Sequence, residues 1–353
     1  MPTLAETAAF AAAQRVLDDL AAATTCLMCS LGDELGLFRE LAEGPATSEE
    51  LAERAGVAER YTREWLHALT AADYLEHDPE TDEFGLPTSL VPVLADDRSP
   101  TFLGGGFDQV LGLAGALDAV AGAFRDGGGL GHEAYPDVLW RGMERMSGAW
   151  IDGALVTDWL PRVDGLVERL EAGAELLEIG CGNGRALVAL ARAFPRSRFA
   201  GIDSSPRAVR AARRNAATAG VGDRVTVDVR DARDGLVGRY DAVAMFDVLH
   251  DIADPGGVLR SIRSALAPGG ACIVLELNAA EEPAGNFGPI GALLYATSVA
   301  YCVPTALADG APGYGTLGLP PSRVAALAGS AGFARVRDVG IGNPFNALYE
   351  LRP

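Results

Sequence analysis

Residues Leu176 to Gly184 read Leu-Leu-Glu-Ile-Gly-Cys-Gly-Asn-Gly: a short apolar run, one carboxylate, then glycine at 180, 182 and 184. The run is strand-like, the glycines make a turn, and the chain from Arg185 onward continues with helical periodicity. A turn without side chains between strand and helix lets a ligand rest on backbone N–H groups at the helix start. That is a nucleotide-type site. A dinucleotide fingerprint spaces its glycines G-x-G-x-x-G/A and uses the last one for helix–strand packing. Here the spacing is G-x-G-x-G, and the large, charged Arg185 stands in the place of that third glycine. Glu178, two residues before Gly180, puts a carboxylate at the strand's end, which suits a cationic amino group better than a pyrophosphate.

Four further acidic or basic groups follow at the ends of later strand-like runs. Asp203, a little over twenty residues after Gly180, can accept hydrogen bonds from both hydroxyls of a ribose; the plainer reading is a helix cap before Pro206. Asp231, in Val-Arg-Asp-Ala, is either a ligand contact or a solvated turn residue. Asp247 and His250 sit in Phe-Asp-Val-Leu-His-Asp, where an open α/β sheet places its ligands. Histidine is the side chain whose ordinary pKa suits taking a proton near neutral pH, and its alternative here is a turn cap.

These groups need an alternating α/β frame. From about residue 166 strands and helices alternate, predicting strands at Glu175–Gly180, Arg198–Ile202, Arg224–Val229, Tyr240–Phe246 and Ala271–Leu277, with late ones at Arg335–Ile341 and Phe345–Leu351. Residues 1–95 read as an Ala-rich helix (Ala5 to Ser30), three short helices and a polar hairpin, the winged-helix pattern. Thr47 and Glu50 are spaced as a capping box. Residues 96–165 are expected to form a helical connector that caps a substrate; its aromatic residues, among them Phe102, Phe124, Tyr135 and Trp159, divide between packing and pocket lining.

Composition removes several function classes. The 29 basic residues are all arginine, so chemistry that depends on lysine, such as a Walker A loop or a pyridoxal Schiff base, is excluded. A net charge of −19 speaks against nucleic acid or an anionic membrane as partner. The winged region is itself acidic, with 5 Arg against 18 Asp and Glu, which points to dimerisation or substrate capping and away from DNA. Five cysteines, an odd number, fit reduced thiols in the cytoplasm, with Cys26 and Cys29 packed in a helix face. No leader and no run of about 18 apolar residues is expected.

The Leu176–Gly184 run resembles motif I of class I S-adenosylmethionine-dependent methyltransferases. Leu249-His-Asp, Leu266-Ala-Pro-Gly-Gly and Val274-Leu-Glu-Leu together resemble the small-molecule O-methyltransferases of specialised metabolism. Trp159-Leu-Pro, Tyr301-Cys-Val-Pro and Asn343-Pro-Phe-Asn extend the likeness, over almost the whole chain, to an actinobacterial family with an N-terminal winged helix. The resemblance implies a Rossmann-like α/β domain at 166–353 with a seven-stranded mixed sheet. It implies S-adenosyl-L-methionine as cofactor, held by Glu178, Gly180, Gly182, Gly184, Asp203, Ser204, Asp231, Ala232 and Phe246. His250 takes the position of the general base, Glu276 that of the group orienting it, and Asp247 lies beside them. Ile252 stands where that family has tryptophan. The implied function is methyl transfer to a small, partly apolar molecule, O-methylation first; a sulfonium methyl is already activated and needs no metal, and the Ala- and Leu-rich first helix is expected to form a homodimer interface. Sulfur, nitrogen and carbon acceptors stay open. So do two other classes: a winged-helix regulator with a catalytically inert ligand-binding domain, and a nicotinamide-dependent oxidoreductase.

Overall fold

The computed structural model describes residues 4–353. The chain divides into two compact units, one comprising the chain up to Ala114 with Pro136–Trp150, the other Gly115–Tyr135 with Ile151–Pro353. The segment 96–165 is thus shared between the two.

In the first unit the helix Leu4–Glu34 is followed by Leu37–Ala42, Ser48–Ala55 and Glu59–Ala71, then by a hairpin of β1 (Glu76–Asp78) and β2 (Glu83–Gly85). The capping box forms: the Thr47 N–H donates to Glu50 and the Glu50 N–H to the Thr47 hydroxyl. Apolar residues at helical spacing bury a core of Leu37, Phe38, Leu51, Trp65, Leu66 and Leu69, closed by Phe84 of the wing. The Trp65 indole N–H reaches the Met28 carbonyl at 2.8 Å, so its polar atom costs nothing on burial. Cys29 is buried, which raises its thiol to about 12 and leaves it inert. A cavity in this unit is lined by Asp33, Asp108, Arg141 and Arg145, whose charges pair with one another. Its lining is unlike the mostly apolar walls of a small-molecule pocket.

The second unit is built on a sheet of seven strands: β3 (Glu175–Ile179), β4 (Arg198–Asp203), β5 (Val225–Val229), β6 (Tyr240–Phe246), β7 (Leu266–Leu277), β8 (Arg335–Asp338) and β9 (Asn346–Arg352). Their order is β5-β4-β3-β6-β7-β9-β8, and β9 alone runs against the rest. Parallel strands flanked by helices are covered on both faces, which is why Ala242–Phe246 and Ala271–Glu276 are buried without a break. The strand order reverses between β3 and β6, and the parallel pairing puts the carboxyl ends of β3, β4, β6 and β7 on one edge.

Two expectations need correction. β7 begins at Leu266, five residues earlier than predicted: Leu266 pairs with Tyr240, and Ala267–Gly270 bulge out before the ladder resumes at Ala271 opposite Ala242. Pro289–Ala308 is a 20-residue helical stretch of mean hydropathy 1.5, long and apolar enough by length and composition to cross a membrane, where no such run was expected. Its Thr, Ser, Tyr and Pro residues break up the apolar pattern, and 44% of its most apolar window is buried in the protein.

Candidate active site at the carboxyl edge of the sheet

The turn after β3 is held from β4. The N–H groups of Gly180 and Cys181 both donate to the Ile202 carbonyl. Asp203 then accepts from the Gly182 N–H at 2.9 Å and from the Ser205 N–H at 2.8 Å. It is not the cap of the following helix: that role falls to Ser205, whose hydroxyl accepts from Ala208 N–H. An ionised carboxylate has about four acceptor positions, so Asp203 keeps lone pairs for a ligand while it fixes the turn.

The three glycines serve different ends. A Cβ on Gly180 would meet Val248 at 2.6 Å and one on Gly184 would meet Ala212 at 2.9 Å, so both are required by the protein's own packing. Gly182, at φ 53°, has no atom within 4 Å of an added Cβ. That open position is the cradle. Arg185, at the helix start, pairs with Asp152 of the π-helical stretch Ile151–Trp159 at 2.7 Å, which accounts for a charge where a dinucleotide fold needs glycine.

Glu178 is 4% exposed, and its Oε2 is buried with no hydrogen-bond partner among the described residues. Burial, then the charge of Asp203, pushes its carboxyl well above the usual range. A cationic amino group at that oxygen would offset both effects. Ser204 follows β4 and is exposed, Ala232 follows β5 and is half-buried, and Phe246 ends β6 in the core. Asp231 caps the short turn Ala232–Asp234 and pairs with Arg233 at 2.6 Å, which holds its carboxyl below the usual range.

His250 lies in the 3-10 turn Leu249–Asp251 and is 4% exposed. Its Nδ1 is 2.7 Å from Glu276 Oε2 on β7, while Glu276 Oε1 accepts the Leu249 N–H at 2.8 Å. Both carboxylate oxygens of Glu276 therefore fix the turn and the ring. Nε2 stands 3.5 Å from Asp251 Oδ1, an ion-pair distance. Burial opposes a charge on the imidazole, but Glu276 and Asp251 outweigh it and raise its proton affinity well above that of ordinary histidine.

Asp247 adopts φ 55°, a left-handed conformation uncommon outside glycine, at the first position after β6. Its Oδ1 accepts from Asn346 Nδ2 at 2.8 Å, and burial, then Glu276, raises its carboxyl to about 7. The structure thus brings Asp247, His250 and Glu276 together. His132 is bonded to the Tyr301 hydroxyl at 3.2 Å. Of the aromatic residues, Phe102, Tyr135 and Trp159 are buried packing residues, whereas Phe124 is 70% exposed.

Sequence reasoning gave no role to Asn346, Asp251, Cys302 or Thr316. The first three stood inside noted motifs, Asn343-Pro-Phe-Asn, Leu249-His-Asp and Tyr301-Cys-Val-Pro, but nothing in the spacing of Asn346 or Cys302 tied them to strand ends elsewhere.

Comparison with known proteins agrees with this architecture. A methyltransferase-domain family matches residues 177–272, and an Rv2258c-like winged helix-turn-helix family matches residues 23–95. The ubiquinone biosynthesis O-methyltransferase of Xanthomonas axonopodis pv. citri is 34% identical over 119 residues, 33% of this chain and 49% of its own length. The chain spans about half the length of the curated relatives it matches. Human N-acetylserotonin methyltransferase, solved in complex with SAM, superposes with a TM-score of 0.69 at 20% identity, covering 96% of this chain and 97% of that one. An O-methyltransferase family protein from Burkholderia thailandensis gives 0.66 at 21% identity over 100% and 98%. These two likenesses are of fold.

Proposed function

We propose that this chain, a winged helix-turn-helix domain followed by a class I methyltransferase domain, transfers the methyl group of S-adenosylmethionine to a small, partly apolar acceptor. O-methylation in specialised metabolism is the form we favour. The observation that carries the reading is the combination at one sheet edge of an open glycine cradle at Gly182, an unpartnered buried carboxylate oxygen on Glu178 and the His250–Glu276 pair. When bound, the cofactor supplies a methyl group already activated on a sulfonium.

The protein's part is to bind, align and exclude water. Gly182 would let the ligand lie against the turn. Glu178 would take the amino group, Asp203 the ribose hydroxyls, and Asp231 with Ala232 the adenine side. His250, oriented by Glu276, would remove the acceptor's proton at Nε2 in its neutral form, which its raised proton affinity confines to pH above the ordinary histidine range, with Asp247 in the same cluster. The acidic winged region, with no lysine in the chain, offers no surface for a phosphate backbone, so we read neither nucleic acid as acceptor nor DNA as partner. Five free cysteines suit the reducing cytoplasm.

Replacing Asp203 with alanine tests the cofactor reading. It removes a ligand contact and frees the Gly182 N–H, so affinity for S-adenosylmethionine should fall by about 1–3 kcal/mol, the scale of hydrogen bonds to a charged group. Calorimetry giving equal affinity in variant and wild type would reduce Asp203 to a turn-holding residue.

We further propose a homodimer formed through the first helix. Phe10, Ala13, Leu17, Leu20, Thr24, Leu27 and Leu31 alternate three and four residues apart, the spacing of a coiled-coil seam, and all are exposed. Phe10 is 72% exposed and Leu20 60%. Light scattering should report a dimer at micromolar concentration in wild type and a monomer when Leu17 and Leu20 are both changed to glutamate. A wild-type monomer would count against the seam.

A further inference from the structure

We propose that His250, Asp251 and Cys302 form a site for one divalent ion of the zinc class. The imidazole, carboxylate and thiol ligand atoms lie within 4.8 Å of one another, contributed by the turn Leu249–Asp251 and the π-helical stretch Ser298–Cys302. His250 Nε2 and Asp251 Oδ1 are 3.5 Å apart, and two ligands at about 2 Å in a tetrahedral site stand about 3.3 Å from each other. That pair already stands at ligand spacing, and the thiol closes the set by moving toward it.

The groups behind the ligands are those a metal site requires. Glu276 holds Nδ1 of His250, which fixes the ring and directs Nε2 inward, the carboxylate–histidine arrangement found behind zinc ligands. The Thr316 hydroxyl donates to Cys302 Sγ at 3.0 Å and orients it. Asp251 Oδ1 is buried and makes no hydrogen bond among the described residues; its charged neighbour is the His250 ring at 3.5 Å, and an ion on Nε2 would take over as its counter-charge. One nitrogen, one sulfur and one oxygen donor make a borderline-soft set that favours zinc over magnesium or calcium, and three protein ligands leave a fourth position open.

An ion on Nε2 occupies the lone pair assigned above to proton removal. Zinc would then inhibit methyl transfer, and a chelator would restore it. This consequence rests on the proposed function; the site does not.

The test is titration of the full-length, chelator-stripped protein with Co²⁺ alone. One equivalent should bind with a thiolate-to-cobalt charge-transfer absorption, and Zn²⁺ should displace it, since zinc stands above cobalt in affinity. Cys302→Ser should lose that absorption. Thr316→Val should keep it but weaken binding by about 10-fold or more, the usual effect of losing a group behind a ligand. A wild-type protein without the thiolate band would overturn the proposal, as would a band undiminished in Cys302→Ser, which would place the metal on other cysteines. Binding of S-adenosylmethionine, measured separately on the same preparations, shows whether the methyltransferase reading fails independently.

Discussion

Turnover should fall by about 10²–10⁴-fold when His250 is replaced by alanine, the usual contribution of a positioned general base. Affinity for S-adenosylmethionine should barely change, because Glu178, Asp203 and the glycine turn stand apart from the imidazole in the proposed binding scheme. Steady-state assays of S-adenosylhomocysteine release, with any acceptor that supports turnover, would measure the first quantity and calorimetry the second. Glu276→Gln should cause a smaller loss. The amide can still accept from the Leu249 N–H through its oxygen, but it no longer balances charge on the ring. Normal turnover in His250→Ala would move the base elsewhere, to Asp247 first, whose raised pKa and place in the same cluster suit it to the task.

Binding itself should be abolished by Gly182→Val. At φ 53° a β-branched residue is strained, at a cost of about 1–2 kcal/mol for a left-handed conformation, and its side chain would fill the space left for the ligand. The fold should survive, since no protein atom lies within 4 Å of the added Cβ. Gly180 and Gly184 are poorer test positions, because substituting them pushes into Val248 and Ala212 and disturbs the fold along with the site. A Gly182→Val protein that melts near wild type and yet binds the cofactor equally well would remove the cradle from the account.

The parts of the site legible in the sequence are those carried by local pattern. The β3 run, the glycine turn and the helix after it lie consecutively, and Asp203 follows at the distance one strand–helix–strand unit imposes. The capping box at Thr47 needs only four residues. What stayed hidden depends on pairing between distant segments. Asn346 meets Asp247 only because β9 inserts beside β7, 99 residues from its partner. Cys302 comes to His250 from the helical stretch Ser298–Cys302, and Thr316 to Cys302 from a loop, neither of which any periodicity announces. The start of β7 was misplaced for a different reason: Pro-Gly-Gly reads as a turn, yet here it forms a bulge within the strand, after Leu266 has already paired. Asp203 shows the opposite case, a residue whose position was legible but whose hold on the Gly182 N–H was not.

The measurement that bears most directly on the account is calorimetric titration of S-adenosylmethionine into the full-length wild-type protein. The account predicts one saturable site per chain, with affinity in the range of about 1 μM to 1 mM common to enzyme substrates. It also predicts that the signal disappears in Gly182→Val and weakens in Asp203→Ala. A well-folded wild-type protein showing no saturable binding at millimolar cofactor would contradict it.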